Sequence, residues 1–231
     1  MENHEKVTQQ AAQEFARLVA VMDRLRSAGG CPWDAEQTHE SLVRYLIEEA
    51  YEVIEAIEAP QGVNRNLLKE ELGDVLLQVV FHARIAQETP GDERFTVVDV
   101  IRGLNEKMER RHPHVFAGES SDIDDVVARW DEPKKLEKPE RTSVFDGIPP
   151  HLPALSLAEK TLSKADKGGV ELQESKQALM LDEVSNEEEL GAFLFVAVQR
   201  ARAQGLDPER ALRAYTRGVI AQAEDGLSAS E

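Results

Sequence analysis

The segment YLIEEAYEVIEAIE, residues 45–58, sets Glu48, Glu49, Glu52, Glu55 and Glu58 among apolar side chains. A helix turns about 100° per residue, so positions three and four apart share a face. Glu49 and Glu52 are three apart, and Glu48 and Glu52 are four apart. Ile47, Ala50, Tyr51, Ile54 and Ile57 form the apolar stripe beside them. A second acidic pair, Glu71 and Asp74, again three apart, leads into VLLQVVF at 75–81. That run is apolar nearly all round, which predicts a helix central to its bundle and places Asp74 at the start of a buried stretch. Gly73 is expected to let a neighbouring helix or a ligand come close, at about 1 kcal/mol of helix propensity relative to alanine.

At least four carboxylates therefore lie on two facing helices at the edge of a core. Unit charges about 4 Å apart repel by about 4 kcal/mol at an effective dielectric of about 20. A domain is stable by only about 5–15 kcal/mol, so several such pairs need an offset. Protons, basic side chains and a hard divalent cation are the three ways to supply one. All-oxygen donors suit Mg²⁺ or Mn²⁺, and Mg²⁺ commonly completes its shell with water and substrate phosphate. A Glu-x-x-Glu face is more often solvated than metal-bound, and Glu55 and Glu58 fit that plainer description. The second acidic pair, running into a buried helix, tips the others towards a metal. Downstream, LNEKMERRHPHVF brings Asn105, Lys107, Arg110 and Arg111 to the end of another helix. Cations there complement the helix dipole. Beside metal-bridged carboxylates they make a polyphosphate site.

The elements that carry these residues read as helices. Phe15, Leu18, Val19, Met22 and Leu25 recur at helical spacing until Gly29 and Gly30 stop the helix. CPWDAEQ reads as an irregular turn. Further helices are expected from Thr38 to Pro60, from Asn64 through VLLQVVFHARIAQ, and from the capping signal Thr96/Asp99 to His112, where Pro113 ends the last. TPGDER between them is a loop. No alternating strand pattern occurs, so the fold class is all-α, an antiparallel helical bundle. Pro133, Pro139, Pro149, Pro150 and Pro153 mark a linker. Helical patterning then resumes, with Ser185 as a cap and Asp207-Pro208 opening a last helix. The domains are 8–132, a linker at 133–153, and 154–227.

The second domain echoes the first. EELGDVLLQVVFHARIAQ at 70–87 matches EELGAFLFVAVQRARAQG at 188–205, a constant offset of 118 residues. Shared Glu-Glu-Leu-Gly, apolar run and Ala-Arg pair favour duplication over chance likeness.

Net charge bounds the partners. With 27 Lys and Arg against 44 Asp and Glu, the chain carries −17, which opposes unaided binding to nucleic acid or to an anionic membrane. No apolar run is long enough to span a bilayer and the N-terminus has no apolar signal core. The single cysteine, Cys31, excludes an internal disulfide framework and fits a reducing cytoplasm; it reads as a buried small residue. His82 reads as a satisfied histidine.

Glu48-Glu49-x-x-Glu52 followed by Glu71-x-x-Asp74 resembles the EExxE…ExxD signature of the MazG family, all-α nucleoside triphosphate pyrophosphohydrolases. CPWDAEQTH and KMERRHPHVF resemble its flanking segments. The resemblance covers residues 10–118 strongly and the remainder weakly. It implies hydrolysis of NTPs and dNTPs to nucleoside monophosphate and pyrophosphate in nucleotide-pool housekeeping, with Mg²⁺ (or Mn²⁺) and a homodimer of helical domains. It implies Glu49, Glu52, Glu71 and Asp74 as metal ligands. Glu48 then orients or deprotonates the attacking water, or binds a second ion. Lys107 and Arg110 bind phosphates with Asn105 in support. Trp33 either stacks on the base or sugar or plugs the end of the bundle. The second copy departs from the pattern. Ala192 stands where Asp74 stands, and Thr216, Gly218 and Ala221 stand opposite Asn105, Lys107 and Arg110, so the second half reads as a degenerate MazG-like domain.

Two rivals remain. Glu36/His39 and Glu109/His112 have the Glu-x-x-His spacing of di-iron bundles, although one pair opens a helix and the other abuts Pro113. A non-catalytic helical interaction module is the other, and it has no need for the full set of motif residues in the first half.

Overall fold

The computed structural model describes residues 2–116, 143–170 and 184–216. Every helix or strand among them is a helix, as the pattern predicted. The chain forms two compact units, Met1–Val126 and Val127–Glu231.

In the first unit, α1 (Glu2–Arg26) begins well before the first expected boundary, residue 8. Its residues 4–14 are exposed, and it packs from Phe15 onward. Gly29 takes a left-handed φ of 76°. At Gly30 a side chain would collide with the backbone oxygens of Leu25 and Arg24, so only glycine fits the stop. The CPWDAEQ segment is not irregular: Pro32–Glu36 forms a short helix, α2, with Pro32 in its first turn.

Helix α3 (His39–Ile57) starts at Thr38, whose N–H donates to Ser41 Oγ at 2.9 Å while Ser41 N–H donates back to Thr38 Oγ1 at 3.2 Å. Helix α4 (Arg65–Ala86) starts at Asn64, whose side chain accepts from Leu67 N–H at 3.3 Å. A 3₁₀ turn at Gly91–Glu93 lies within the expected loop. Helix α5 (Val97–Arg111) is capped by Thr96 N–H donating to Asp99 at 2.9 Å. Pro113 ends α5 and also opens α6 (Pro113–Phe116).

The core joins Met22 of α1, Leu42 of α3, and Val80 and Phe81 of α4, with Tyr45, Leu77, Ile85 and Val97 packed on it. The expectation that α4 is buried all round is corrected. Gln78, Val80, Phe81, Ala83 and Ala86 are buried, but Leu72, Leu76 and Val79 are 53%, 40% and 41% exposed. These lie four and seven positions along, one open stripe on the central helix. Apolar content recorded how much greasy surface α4 has, not that this chain covers all of it.

Arg26 locks α1, α2 and α4 together. Its side chain, 4% exposed, donates to Glu88 at 2.8 Å, to the carbonyl of Gln37 at 3.1 Å and to that of Asp34, and lies over the Phe81 ring. Glu88 also accepts from Arg84 at 2.7 Å. The Arg26 hydrogen bond is the main reason the Glu88 carboxyl sits below the usual range.

In the second unit, α7 (Ala154–Gly168) packs on α8 (Glu187–Ala203) through Leu162, Ala165 and Val198. Arg202 of α8 binds Glu159 at 2.8 Å and Asp166 at 2.9 Å on α7. The cap of α8 is Asn186, which accepts from Glu189 N–H at 3.0 Å, rather than Ser185. Helix α9 runs over 208–216 after Asp207, whose carboxylate accepts from Arg210 N–H at 3.0 Å. Residues 143–153 of the expected linker are turns; 133–142 and 217–227 lie outside the described residues.

Candidate metal centre

Helices α3 and α4 form a hairpin, and its facing surfaces bring the two acidic motifs together. Glu49, Glu52 and Glu71 each place a carboxylate oxygen within 4.8 Å of the others. Glu71 is 7% exposed, although the sequence pointed to Asp74 as the more buried acid. Asp74 is half-buried one turn on. Glu52 is the centre of the group, hydrogen-bonded to both Glu49 and Glu71.

A hydrogen bond between two carboxyl groups requires a proton. Burial first, then the hydrogen bond to Glu52 and the charges of Asp74, Glu52 and Glu71, pushes the Glu49 carboxyl up to about 7. Burial and then Glu52 raise Glu71 as well. Every group that shifts these two acids is itself an acid, so among the described residues no cation offsets them. The donors are all carboxylate oxygens, partly shielded, on two rigid helices. That donor set fits a hard divalent cation, which would replace the shared protons.

The other expected residues are placed as follows. Glu48 is exposed, one turn before Glu52, and is not among the three converging acids. Lys107, half-buried, and Arg110, exposed, share a face of α5, which packs on α4. Asn105 is on a different face, where it lines a shallow depression with Val98, Ile101, Arg102, Glu106 and Glu109. Trp33 on α2 is 49% exposed and meets Tyr45 edge-on, ring centroids 5.9 Å apart. The Arg44 guanidinium lies 4.5 Å from the Tyr45 ring centre. Tyr45 was not singled out from the sequence, yet it stands four and seven residues before Glu49 and Glu52 and so shares their face. Trp33 and Tyr45 thus form an aromatic edge one turn from the acids.

Several expectations are corrected. A methyl group at Gly73 would meet nothing within 4 Å, so none of the described residues uses the close approach of a neighbouring helix expected there. Cys31 is half-buried rather than buried. His82 is satisfied only on one side: its Nδ1 meets His39 Nδ1, while its buried Nε2 has no partner among the described residues. The di-iron reading fails among the described residues. His39 faces His82, His112 Nδ1 donates to the Met108 carbonyl at 2.7 Å, and no histidine joins the three-acid group.

Among its described residues, the second unit does not repeat the acidic centre. Glu189, the counterpart of Glu71, accepts from the N–H and hydroxyl of Ser185 at 2.8 and 2.7 Å. Those bonds hold its carboxyl below the usual range. Ala192 replaces Asp74, and Thr216 spends its hydroxyl on the Leu212 carbonyl at 2.8 Å. Gly218 and Ala221 lie outside the described residues.

A family model described as the MazG nucleotide pyrophosphohydrolase domain matches residues 37–116, from the start of α3 through α6. A Thermotoga maritima protein named nucleoside triphosphate pyrophosphohydrolase/pyrophosphatase MazG is 47% identical over 221 residues, spanning 89% of this chain and 82% of that protein. The nucleoside triphosphate pyrophosphohydrolase of Escherichia coli K12 is 38% identical over 222 residues, spanning 87% of this chain and 82% of its own length. Among solved structures, the crystal structure of a mazG-related protein from Thermotoga maritima covers 52% of this chain and 98% of its own, at 30% identity and a TM-score of 0.43. The matched domain holds both acidic motifs and the relatives align through both units, so the chain belongs to the MazG family of nucleotide pyrophosphohydrolases.

Proposed function

We propose that this protein hydrolyses nucleoside triphosphates, ribo or deoxy, at the α–β phosphoanhydride, releasing nucleoside monophosphate and pyrophosphate. The observation that carries the reading is the convergence of Glu49, Glu52 and Glu71 without a cation among the described residues to offset them. With Asp74 they would hold Mg²⁺, or Mn²⁺ in its place, which supplies charge neutralisation at the phosphate oxygens. Glu48, exposed beside the group, orients the attacking water and takes its proton. Lys107 and Arg110 hold phosphate oxygens by charge-assisted hydrogen bonds, with Asn105 in support. Trp33, with Tyr45 at its edge, takes the base or sugar.

We read the active form as a homodimer. Leu72, Leu76 and Val79 of α4 and Val43, Ile47 and Tyr51 of α3 are each at least 40% exposed, at helical spacing. Such apolar stripes mark interaction surfaces. Ile47 and Tyr51 are next in sequence to Glu48 and Glu52, so a second copy there would also shield the acids from water. The second unit is a copy that kept its packing and lost its chemistry. One cysteine and no described helix able to cross a membrane suit a reducing cytoplasm.

The test is product analysis over canonical and damaged NTPs and dNTPs with Mg²⁺. Monophosphate and pyrophosphate are expected. Diphosphate and orthophosphate would overturn the assignment.

A further inference from the structure

Helices α3 and α4 also meet through an imidazole pair that the acidic centre does not use. His39 is the first residue of α3, and His82 lies in the C-terminal half of α4. Their Nδ1 atoms are 2.8 Å apart, their planes are parallel within 1°, and their ring centroids are 5.1 Å apart. The centroid separation exceeds the nitrogen separation by about one ring diameter. Both nitrogens therefore lie close to the line joining the centroids, and the rings meet edge to edge rather than face to face. Two lone pairs on one metal converge on a point to the side; these oppose each other along a line. The geometry is that of a linear N–H···N hydrogen bond. It takes one proton. With none, two lone pairs face each other, and with two, N–H faces N–H.

Two buried atoms beside the pair are unpartnered. His82 Nε2 and Gln78 Oε1 are the buried side-chain atoms without partners among the described residues, and Gln78 is 5% exposed. Gln78 stands one turn before His82 on the same face of α4. If His39 donates and His82 accepts at Nδ1, neutral His82 carries its hydrogen on Nε2. Gln78 Oε1 is not bonded to that nitrogen, since both atoms are without partners among the described residues.

We propose that His39 and His82 form a one-proton lock between the start of α3 and α4, which a second proton opens. The lock ties together the same two helices that carry Glu49, Glu52, Glu71 and Asp74, and so holds the register of the acidic centre. Burial, and next the charge of His39, already disfavours the charged form of His82. Other charges near this end of the bundle are engaged elsewhere, except that Glu40, next to His39, also feels the charge of that ring. Glu40 of α3 is bonded at Thr38, Asp23 of α1 pairs with Arg84, and Arg26 of α1 pairs with Glu88. No group of α5 acts on His82.

The test uses the full chain without metal or nucleotide, so it succeeds or fails independently of the hydrolytic reading. Imidazole ¹⁵N spectra should show a scalar coupling between the two Nδ1 nuclei across the shared proton. His82 should stay neutral, with its hydrogen on Nε2, through about pH 6.5, where a free imidazole titrates. On further acidification the coupling should vanish while backbone signals at 39–42 and 78–84 shift together. Absence of the coupling at neutral pH, with the two rings titrating independently, would overturn the lock. As a second arm, His39→Gln keeps a donor for His82 Nδ1 and removes the opposing ring charge. Between about pH 7 and pH 5 this variant should lose several degrees less melting temperature than the wild type. Equal losses would also overturn the proposal.

Discussion

Glu71 and Glu189 stand at matching places in the two related helices, and their environments are opposite. Glu71 is the eighth residue counted from its cap Asn64 and lies buried among acids, which raise it. Glu189 is the fourth counted from its cap Asn186, and its carboxylate is spent on Ser185 at the helix start. Helix α8 begins about one turn later relative to the shared sequence, which turns a core-facing acid into a capping one. Glu71→Gln should abolish pyrophosphate release while the protein stays folded. Glu189→Ala should lower the melting temperature by a few degrees and leave turnover unchanged. Loss of turnover in a folded Glu189→Ala protein would show that the second unit is catalytic.

The Glu49 carboxyl sets a pH dependence whose sign can be worked out. The folded protein keeps this proton up to about 7, whereas the unfolded chain releases it near 4.5. Between those values the folded state binds more protons, so this group makes metal-free stability fall as pH rises. Glu49→Gln should remove that part of the slope, and its metal-free melting temperature should exceed the wild type above about pH 7. His82, whose charged form is disfavoured, acts in the opposite sense below its ordinary value of 6.5, which is why the comparison is with the variant. For the same reason, stabilisation by Mg²⁺ should grow with pH, since the metal competes with protons. A Mg²⁺ shift that shrinks as pH rises from about 5.5 to 7.5 would contradict this.

Arg26 has no part in the chemistry, yet it orders the segment that carries Trp33. Its loss leaves the Asp34 and Gln37 carbonyls without this donor and leaves Glu88 with Arg84 alone. Arg26→Ala should destabilise the first unit by about 3 kcal/mol in denaturant unfolding. A change under about 0.5 kcal/mol, the level of ordinary surface substitutions, would show that the buried guanidinium is not structural.

Much of this was legible because the signals are local. Thr38, Asn64 and Thr96 cap helices through bonds to residues three positions on, and Glu49 and Glu52 share a face by helical spacing, with Glu71 brought to them by the packing of α4 on α3. What escaped depends on partners distant in the chain. His39 and His82 are 43 residues apart, and nothing in either neighbourhood announces the other. Helix α2, at five residues, is too short for periodicity to register. The open stripe at Leu72, Leu76 and Val79 looks in sequence like core, because apolarity does not reveal whether its partner is in the same chain.

That stripe gives a further expectation. Leu76→Asp puts a charge at the middle of an apolar face that is already 40% exposed in the single chain, so the monomer should fold. Sedimentation should show the wild type as a dimer and Leu76→Asp as a monomer. Identical sedimentation of the two would remove α4 from the interface.

The central claim is that the acids joining α3 and α4 cleave nucleoside triphosphates with a metal. It is tested most directly by pyrophosphate released per protein with Mg²⁺, for the wild type and for Glu52→Gln, with equal folding verified by circular dichroism. Glu52 is bonded to both neighbours, so it is the residue the centre can least lose. The account predicts Mg²⁺-dependent release by the wild type, abolished by chelation, and a loss of at least about 100-fold in the variant, the scale expected when a ligand of a catalytic metal is removed. Release by Glu52→Gln at the wild-type rate would contradict it.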